Sequence, residues 1–223
     1  MPNEPYYRRA ELDILPPYRP LFPRGGARNF RDRTSDRLDE QQCRDLLAAA
    51  DRAYNHGQPF NRWMTAHWQK GGVDARDCCT ATGEFIKRAR DWMRRHGYRL
   101  GWAWVQEYGQ GYGAHAHMLL HVPPELAPLF APMPLRWAKD ILPGAYIKGV
   151  IDTKPIRGAS SAYSEPDLYW ANLRTKLHYM MKAAPPELEA VLGIQGWGDK
   201  PWGQYCTVHG KRAAEAQWLR KPG

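Results

Sequence analysis

The chain has 223 residues, of which 43% are hydrophobic and 25% are charged. These proportions are ordinary for a globular protein, and they exclude a disordered or fibrous chain. The net charge of +9 is the unusual feature, and arginine supplies most of it. Because a guanidinium matches phosphate oxygens in shape and charge, nucleic acid is the favoured partner and a membrane surface is the weaker alternative.

Cysteine spacing and hydropathy predict a cytoplasmic protein that does not enter a membrane. The four cysteines are Cys43, Cys78, Cys79 and Cys206. They form neither the CxxC spacing typical of zinc sites nor the framework of a small secreted fold, so we expect reduced thiols. No apolar run approaches the roughly 18 residues of a membrane span. The N-terminal segment also lacks the apolar core of a signal peptide.

The first part of the chain predicts an arm followed by helix, strand and helix. Residues 1–34 are rich in Pro, Arg and Gly without periodicity, which predicts a loosely ordered basic arm that could lie along phosphates or remain solvated. A single domain is predicted over residues 35–223. Apolar residues recur at helical spacing over 35–55 and again within 72–97, and FNRWMTAHW at 60–68 is typical of a strand.

Two strands joined by a short glycine-rich loop follow, and this pattern predicts an antiparallel hairpin. The strands are predicted at 98–107 and at 114–122. Beyond the hairpin the sequence predicts a proline-interrupted helix at 123–142, a strand at 145–153, a helix at 165–184 and a further strand in QYCTVH at 204–209.

The second hairpin strand, AHAHMLLHV, carries His115 and His117 two residues apart. Alternate side chains of a strand share a face, so these imidazoles lie roughly 6.6 Å apart along the backbone and can bind one ion. Glu107 returns alongside them across the loop, and a carboxylate is a usual third ligand for Mg²⁺ or Mn²⁺. The three side chains are therefore predicted ligands of a divalent metal ion. The alternative is a histidine pair that makes ordinary hydrogen bonds.

The last predicted helix presents Tyr179 on the side opposite to its apolar stripe. The same polar side carries Asn172, Thr175, Lys176 and Lys182. A nearby lysine and a metal bound to the target phosphate both favour the phenolate, so Tyr179 with Lys182 is a candidate nucleophile and helper for phosphoryl transfer. A solvated helix face would also produce this spacing.

Three segments, FNRWMTAHW, QEYGQGYGAHAHMLLHVP and YMMK, occur in an order that resembles the three motifs of the HUH endonucleases. The resemblance is to the rolling-circle replication initiator class, and it spans residues 60–184. Its most specific part is Glu107 together with HAHMLLHVP. Its least specific part is the first motif, which in the family is a short apolar and threonine-rich strand.

The resemblance implies an α+β fold with a central antiparallel β-sheet flanked by helices, similar to a ferredoxin or RRM-like core. It implies that His115, His117 and Glu107 bind the metal. Tyr179 would attack a phosphodiester of single-stranded or hairpin origin DNA with help from Lys182, leaving a 5′-phosphotyrosine and a 3′-hydroxyl. The implied setting is the bacterial cytoplasm, with a plasmid, a phage or an integrated element as the replicon. A host polymerase would extend the hydroxyl, and a host helicase would unwind the template.

Further candidates for contact with DNA are Lys176, Asn172, Arg62 and His67. His67 could instead be a fourth metal ligand or have a structural role. The motif holds one tyrosine, since Tyr169 is ten residues earlier, which leaves open whether a second subunit of a dimer on the DNA performs the closing step.

Two alternatives remain open at the level of sequence. A relaxase or transposase of the HUH type would use the same chemistry, although Glu107 in place of a third histidine argues against a relaxase. A basic nucleic-acid-binding module without catalysis would leave the histidine pair structural.

Overall fold

The protein, described by a computed structural model over residues 33–109, 111–193 and 207–220, has an α+β fold. The strands in those ranges are β1 (Thr34–Ser35), β2 (Arg62–Ala66), β3 (Trp102–Gly109), β4 (Gly113–Leu120), β5 (Ile151–Pro155), β6 (Val208–His209) and β7 (Ala213–Glu215). The α-helices are α1 (Glu40–Asn55), α2 (Cys78–Arg95), α3 (Ala127–Phe130), α4 (Met133–Ile141), α5 (Pro166–Met180) and α6 (Pro186–Leu192). Among these helices, none combines the length and the apolar character needed to cross a membrane.

The centre of the fold is a five-stranded antiparallel sheet with the order β5-β2-β4-β3-β7. The strands β1 and β6 form a separate antiparallel pair. From β2 to β5 the chain runs β2, α2, β3, β4, then the two short helices α3 and α4, then β5, and β4 lies between β2 and β3 in the sheet. This is the split β-α-β pattern of ferredoxin-like folds. The predicted α+β fold with a central antiparallel sheet is confirmed.

Side chains alternate between the two faces of this sheet. The alternation places His115 and His117 on the face that packs against α1 and α5, which we call the histidine face. Thr65 of β2 and Glu107 of β3 point to the same face. The opposite face, which includes Met118, packs against α2 and α4. Each face buries its own apolar cluster, so the sheet lies between two layers of helices.

The β3–β4 hairpin depends on a glycine at its turn. Gly113 begins β4 with φ +65°, a conformation that favours glycine. A Cβ at this position would also collide with the Gln69 side chain, whose Oε1 accepts a hydrogen bond from the Ala114 N–H at 2.8 Å. This hydrogen bond therefore joins the hairpin to the segment that follows β2.

Helix α1 begins five residues later than predicted because a capping box sets its start. The Asp39 carboxylate accepts a hydrogen bond from the Gln42 N–H at 2.7 Å, and Gln42 Oε1 accepts one from the Asp39 N–H at 3.0 Å. The residues ahead of this cap, Thr34–Ser35, pair instead with Val208–His209.

Two further element ends differ from the predictions for local reasons. Strand β5 begins at Ile151 because the preceding residues form a turn, in which Gly149 has φ +84° and the Val150 N–H bonds to Ile147 O. Helix α5 ends at Met180, so Lys182 lies in the turn after the helix.

Some predictions fall outside the described residues. These are nearly all of the arm at 1–34, Cys206 and the first part of QYCTVH. The domain limits stay predictions, while Cys43, Cys78 and Cys79 are free thiols as expected.

Candidate metal and nucleophile site

The three predicted ligands meet on the histidine face. In the antiparallel register Glu107 lies directly opposite His115. Glu107 Oε2 is 3.4 Å from His115 Nε2 and 3.3 Å from His117 Nε2. The ligand atoms of all three residues lie within 4.8 Å of one another, and all three side chains are buried.

Hydrogen bonds on the far side of each ring orient the two imidazoles. His115 Nδ1 lies 2.8 Å from Gly113 O, and because a carbonyl only accepts, this nitrogen carries the proton. His117 Nδ1 lies 3.0 Å from the hydroxyl of Thr65, which is opposite His117 on β2. Both rings therefore turn Nε2 toward Glu107, in the arrangement that outer partners impose on metal-binding histidines.

The pKa directions of Glu107 and His117 and the unsatisfied atoms of the cluster suit a divalent cation. Burial alone would raise the pKa of Glu107, but the two histidines and Lys182 outweigh it and hold the pKa below its ordinary value. Burial lowers the pKa of His117. Within the described part of the chain, Glu107 Oε1 and His117 Nε2 are buried without a hydrogen-bond partner. Carboxylate oxygens and imidazole nitrogens are metal ligands, so this group could hold a metal ion.

Lys182 contacts the same carboxylate oxygen that both imidazoles face. Its ammonium makes an ion pair with Glu107 Oε2, and the side chain is mostly buried. The same ammonium lies 3.6 Å from the centroid of the Tyr179 ring. The sequence predicts that Lys182 and Tyr179 are neighbours, but it gives no sign that Lys182 reaches the ligand cluster.

Tyr179 lies at the edge of the cluster rather than in open solvent. Its half-buried ring meets His117 edge-on at 5.0 Å between centroids and Trp63 at 6.0 Å. The apolar stripe of α5 faces the core as predicted, with Trp170, Leu173, Leu177 and Met180 buried. Tyr179 and Lys176, which the sequence assigns to the polar side of α5, also contact residues of the histidine face.

Residues 61–184, more than half of the chain, match the family described as replication-associated protein ORF2/G2P. The chain belongs to this family. Comparisons with curated proteins and with solved structures find no significant match. Membership supports a role as a replication initiator, and the matched segment includes everything from β2 through Lys182.

The residues predicted to contact DNA in this replication-associated protein lie at separate places in the fold. The His67 ring lies 5.3 Å from the His115 ring, next to the cluster. Lys176 lies 5.5 Å above the Trp63 ring, while the Asn172 amide donates to the carbonyl one helical turn earlier. Arg62 shares the parity of Met64, so it belongs to the opposite face of the sheet, and its guanidinium donates to the preceding carbonyl.

Two other tyrosines near α5 are separate from the ligand cluster. The Tyr169 hydroxyl donates to Phe60 O at 3.1 Å, and burial raises its pKa well above the ordinary value. Tyr163 donates to Tyr54 O at 2.8 Å. Both hydroxyls thus bond to backbone carbonyls, that of Phe60 just before β2 and that of Tyr54 in α1.

Proposed function

We propose that the protein is a metal-dependent HUH endonuclease that nicks single-stranded origin DNA and initiates rolling-circle replication. The observation that carries this proposal is the convergence of Tyr179 and Lys182 on the Glu107, His115 and His117 cluster. A phenol, a cation and a set of metal ligands in contact are the groups that transfer of a phosphodiester requires. Membership of a replication-associated family is in agreement with this chemistry.

In this proposal the ligand cluster holds Mg²⁺ or Mn²⁺, which when bound neutralises charge on the scissile phosphate. Two imidazoles and one carboxylate suit Mn²⁺ at least as well as Mg²⁺, which prefers oxygen ligands. The strands keep these groups rigid because β3 and β4 pair along their whole length.

The reaction balances without an energy source. The Tyr179 oxygen forms a bond to phosphorus as the bond from phosphorus to the 3′-oxygen breaks. The phenol loses one proton and the departing 3′-oxygen takes up one. One phosphodiester replaces another, in agreement with the absence of a GxxxxGK[ST] loop from the sequence. Lys182, whose ammonium lies over the phenol ring, stabilises the phenolate.

The partners follow from this reaction. Single-stranded or hairpin DNA is the substrate, and Lys176 and Asn172 on α5 would contact it. A host polymerase extends the free 3′-hydroxyl, and a host helicase opens the duplex. A second copy of the chain, bound as a dimer on the DNA, supplies the tyrosine of the closing step, because the Tyr169 hydroxyl is buried in a backbone hydrogen bond.

Cleavage of single-stranded oligonucleotides in Mn²⁺ tests the proposal. A random-sequence library that includes hairpins, followed by mapping of the new ends, should reveal one preferred nick. The double variant His115→Ala, His117→Ala should still bind DNA and should not cleave it. If the wild type shifts the DNA band and never cleaves, the chain is a binding module without catalysis. A preference for transfer origins or transposon ends would favour a relaxase or a transposase.

A further inference from the structure

An uninterrupted row of aromatic rings crosses the histidine face. Tyr112 at the hairpin tip lies 4.9 Å from His67, and His67 lies 5.3 Å from His115. His115 lies 5.0 Å from His117, and His117 lies 5.0 Å from Tyr179. All of these are distances between ring centroids. Tyr112 and Tyr179 therefore stand at opposite ends of the row, with the ligand cluster between them.

Tyr112 is the open end of this row, because its residue surface is 60% exposed. Exposure of a tyrosine on a turn is common, but here the ring also rests against the half-buried His67 ring. Tyr112 and His67 form an aromatic pair beside the ligand cluster. The exposed Lys70 follows three residues after His67 and adds a positive charge near that ring.

Hydrogen bonds join the two chain segments that carry this aromatic pair. The Gln69 N–H donates to Ala114 O at 3.1 Å, and Gln69 Oε1 accepts from the Ala114 N–H at 2.8 Å. These bonds join the segment of His67 to the start of β4, directly after Tyr112. The two segments are thus held together before any ligand binds, which lowers the entropy lost on binding.

The order of the residues along the row determines which side of the nick lies next to the aromatic pair. Attacking and leaving oxygens lie roughly in line on opposite sides of a transferred phosphoryl group. With Tyr179 as nucleophile, the departing 3′-oxygen points away from Tyr179, toward His67 and Tyr112. The nucleotide that carries this oxygen is the one on the 5′ side of the nick.

We propose that Tyr112 and His67 form a stacking platform for the unpaired base of the nucleotide immediately 5′ of the nick. This inference rests on the proposed function and names the part of the substrate that the hairpin tip binds. Aromatic side chains stack on any base, because every base has a π-face. The platform would therefore hold the 3′-hydroxyl end in place after cleavage with little preference for its sequence.

Binding of an oligonucleotide that the wild type cleaves tests the platform, with one abasic site moved along the strand. The proteins are Tyr179→Phe, which cannot react, and the double variants that add Tyr112→Ala, Tyr112→Phe or Tyr108→Ala. Tyr108 is the matched control, because it lies on the same hairpin and is 41% exposed. It follows Glu107 on β3, so its side chain points away from the histidine face. Anisotropy of a labelled strand reports each dissociation constant.

We expect Tyr112→Ala to weaken binding about tenfold and Tyr112→Phe and Tyr108→Ala to leave it nearly unchanged. An abasic site immediately 5′ of the nick should cause a similar loss and should cancel the effect of Tyr112→Ala. If that cancellation is absent or occurs 3′ of the nick while the wild type still cleaves, the platform is overturned and the proposed function stands. If the wild type cleaves no single-stranded substrate, the proposed function fails and this assignment fails with it.

Discussion

Lys182 places a positive charge at the carboxylate that a metal ion would use. Its ammonium contacts Glu107 Oε2, the oxygen that both imidazoles also face. A buried carboxylate needs a cationic partner. Lys182 supplies this partner, so a metal ion that binds Glu107 would compete with that ammonium.

Removing this competitor should strengthen metal binding. We expect Lys182→Met to lower the Mn²⁺ dissociation constant by about tenfold, or about 1.4 kcal/mol, because the ammonium that contacts Glu107 is removed. Titration calorimetry at constant pH measures the change. The metal-free variant should also melt at a lower temperature than the wild type, and Mn²⁺ should raise its melting temperature by more.

Lys176→Met is the matched control, because Lys176 lies over the Trp63 ring rather than at the carboxylate. It removes the same charge from the same surface and should change Mn²⁺ affinity much less. Unchanged or weaker Mn²⁺ binding by Lys182→Met would show that the ammonium does not compete for Glu107.

Strand β2 supports the site although it provides none of the three ligands. It places Thr65 opposite His117, where the hydroxyl meets His117 Nδ1 at 3.0 Å. We expect Thr65→Val to weaken Mn²⁺ binding by about tenfold or more, because the ring loses the partner that directs Nε2 toward Glu107. Thr65→Ser keeps the hydroxyl and should stay close to the wild type. Equal affinities for the Val and Ser variants would exclude this orienting role.

The ligand cluster was predictable because its members are close in sequence. Glu107, His115 and His117 lie on two strands joined by a tight hairpin, so alternation and loop length determine which side chains meet. The apolar stripe of α5 was predictable for the same kind of reason, since helical spacing decides which residues share a side.

Thr65 and Lys182 could not be assigned from local patterns. Thr65 is 52 positions from His117, and their pairing depends on the order of strands in the sheet. The position of the Lys182 ammonium depends on where α5 ends, at Met180, and on how the following turn packs. Tyr112 gave no periodic signal either, because it belongs to a turn.

At the scale of the whole molecule, buried histidines make stability depend on pH. Burial, and then the nearby Arg174 guanidinium, lower the pKa of His178 to about 4. Histidine in an unfolded chain titrates near pH ~6.5. Between these values the unfolded chain binds more protons than the folded one, so the free energy of unfolding falls as the pH drops.

We expect His178 to lower the free energy of unfolding by about 1–2 kcal/mol as the pH falls from 7 to 5. Above pH ~6.5 its contribution to stability is fully present. Urea denaturation in EDTA at several pH values measures the slope. His178→Gln keeps an acceptor for Arg174 but cannot take up the proton, so its stability should fall less steeply. The same slope in both proteins would exclude His178 as a source of this pH dependence.

The fold brings the Tyr179 phenol to the ligand cluster, and whether this phenol is the nucleophile decides whether the proposed chemistry is right. Covalent capture of DNA measures it directly. A 3′-labelled oligonucleotide that contains the mapped nick, incubated with Mn²⁺, should yield a labelled protein that survives boiling in detergent. Peptide mass spectrometry should place the nucleotide on Tyr179, and Tyr179→Phe should bind the same DNA and form no adduct. An adduct that persists in Tyr179→Phe but disappears in Tyr163→Phe or Tyr169→Phe, or no adduct from the wild type on any single-stranded substrate it binds, would contradict the assignment.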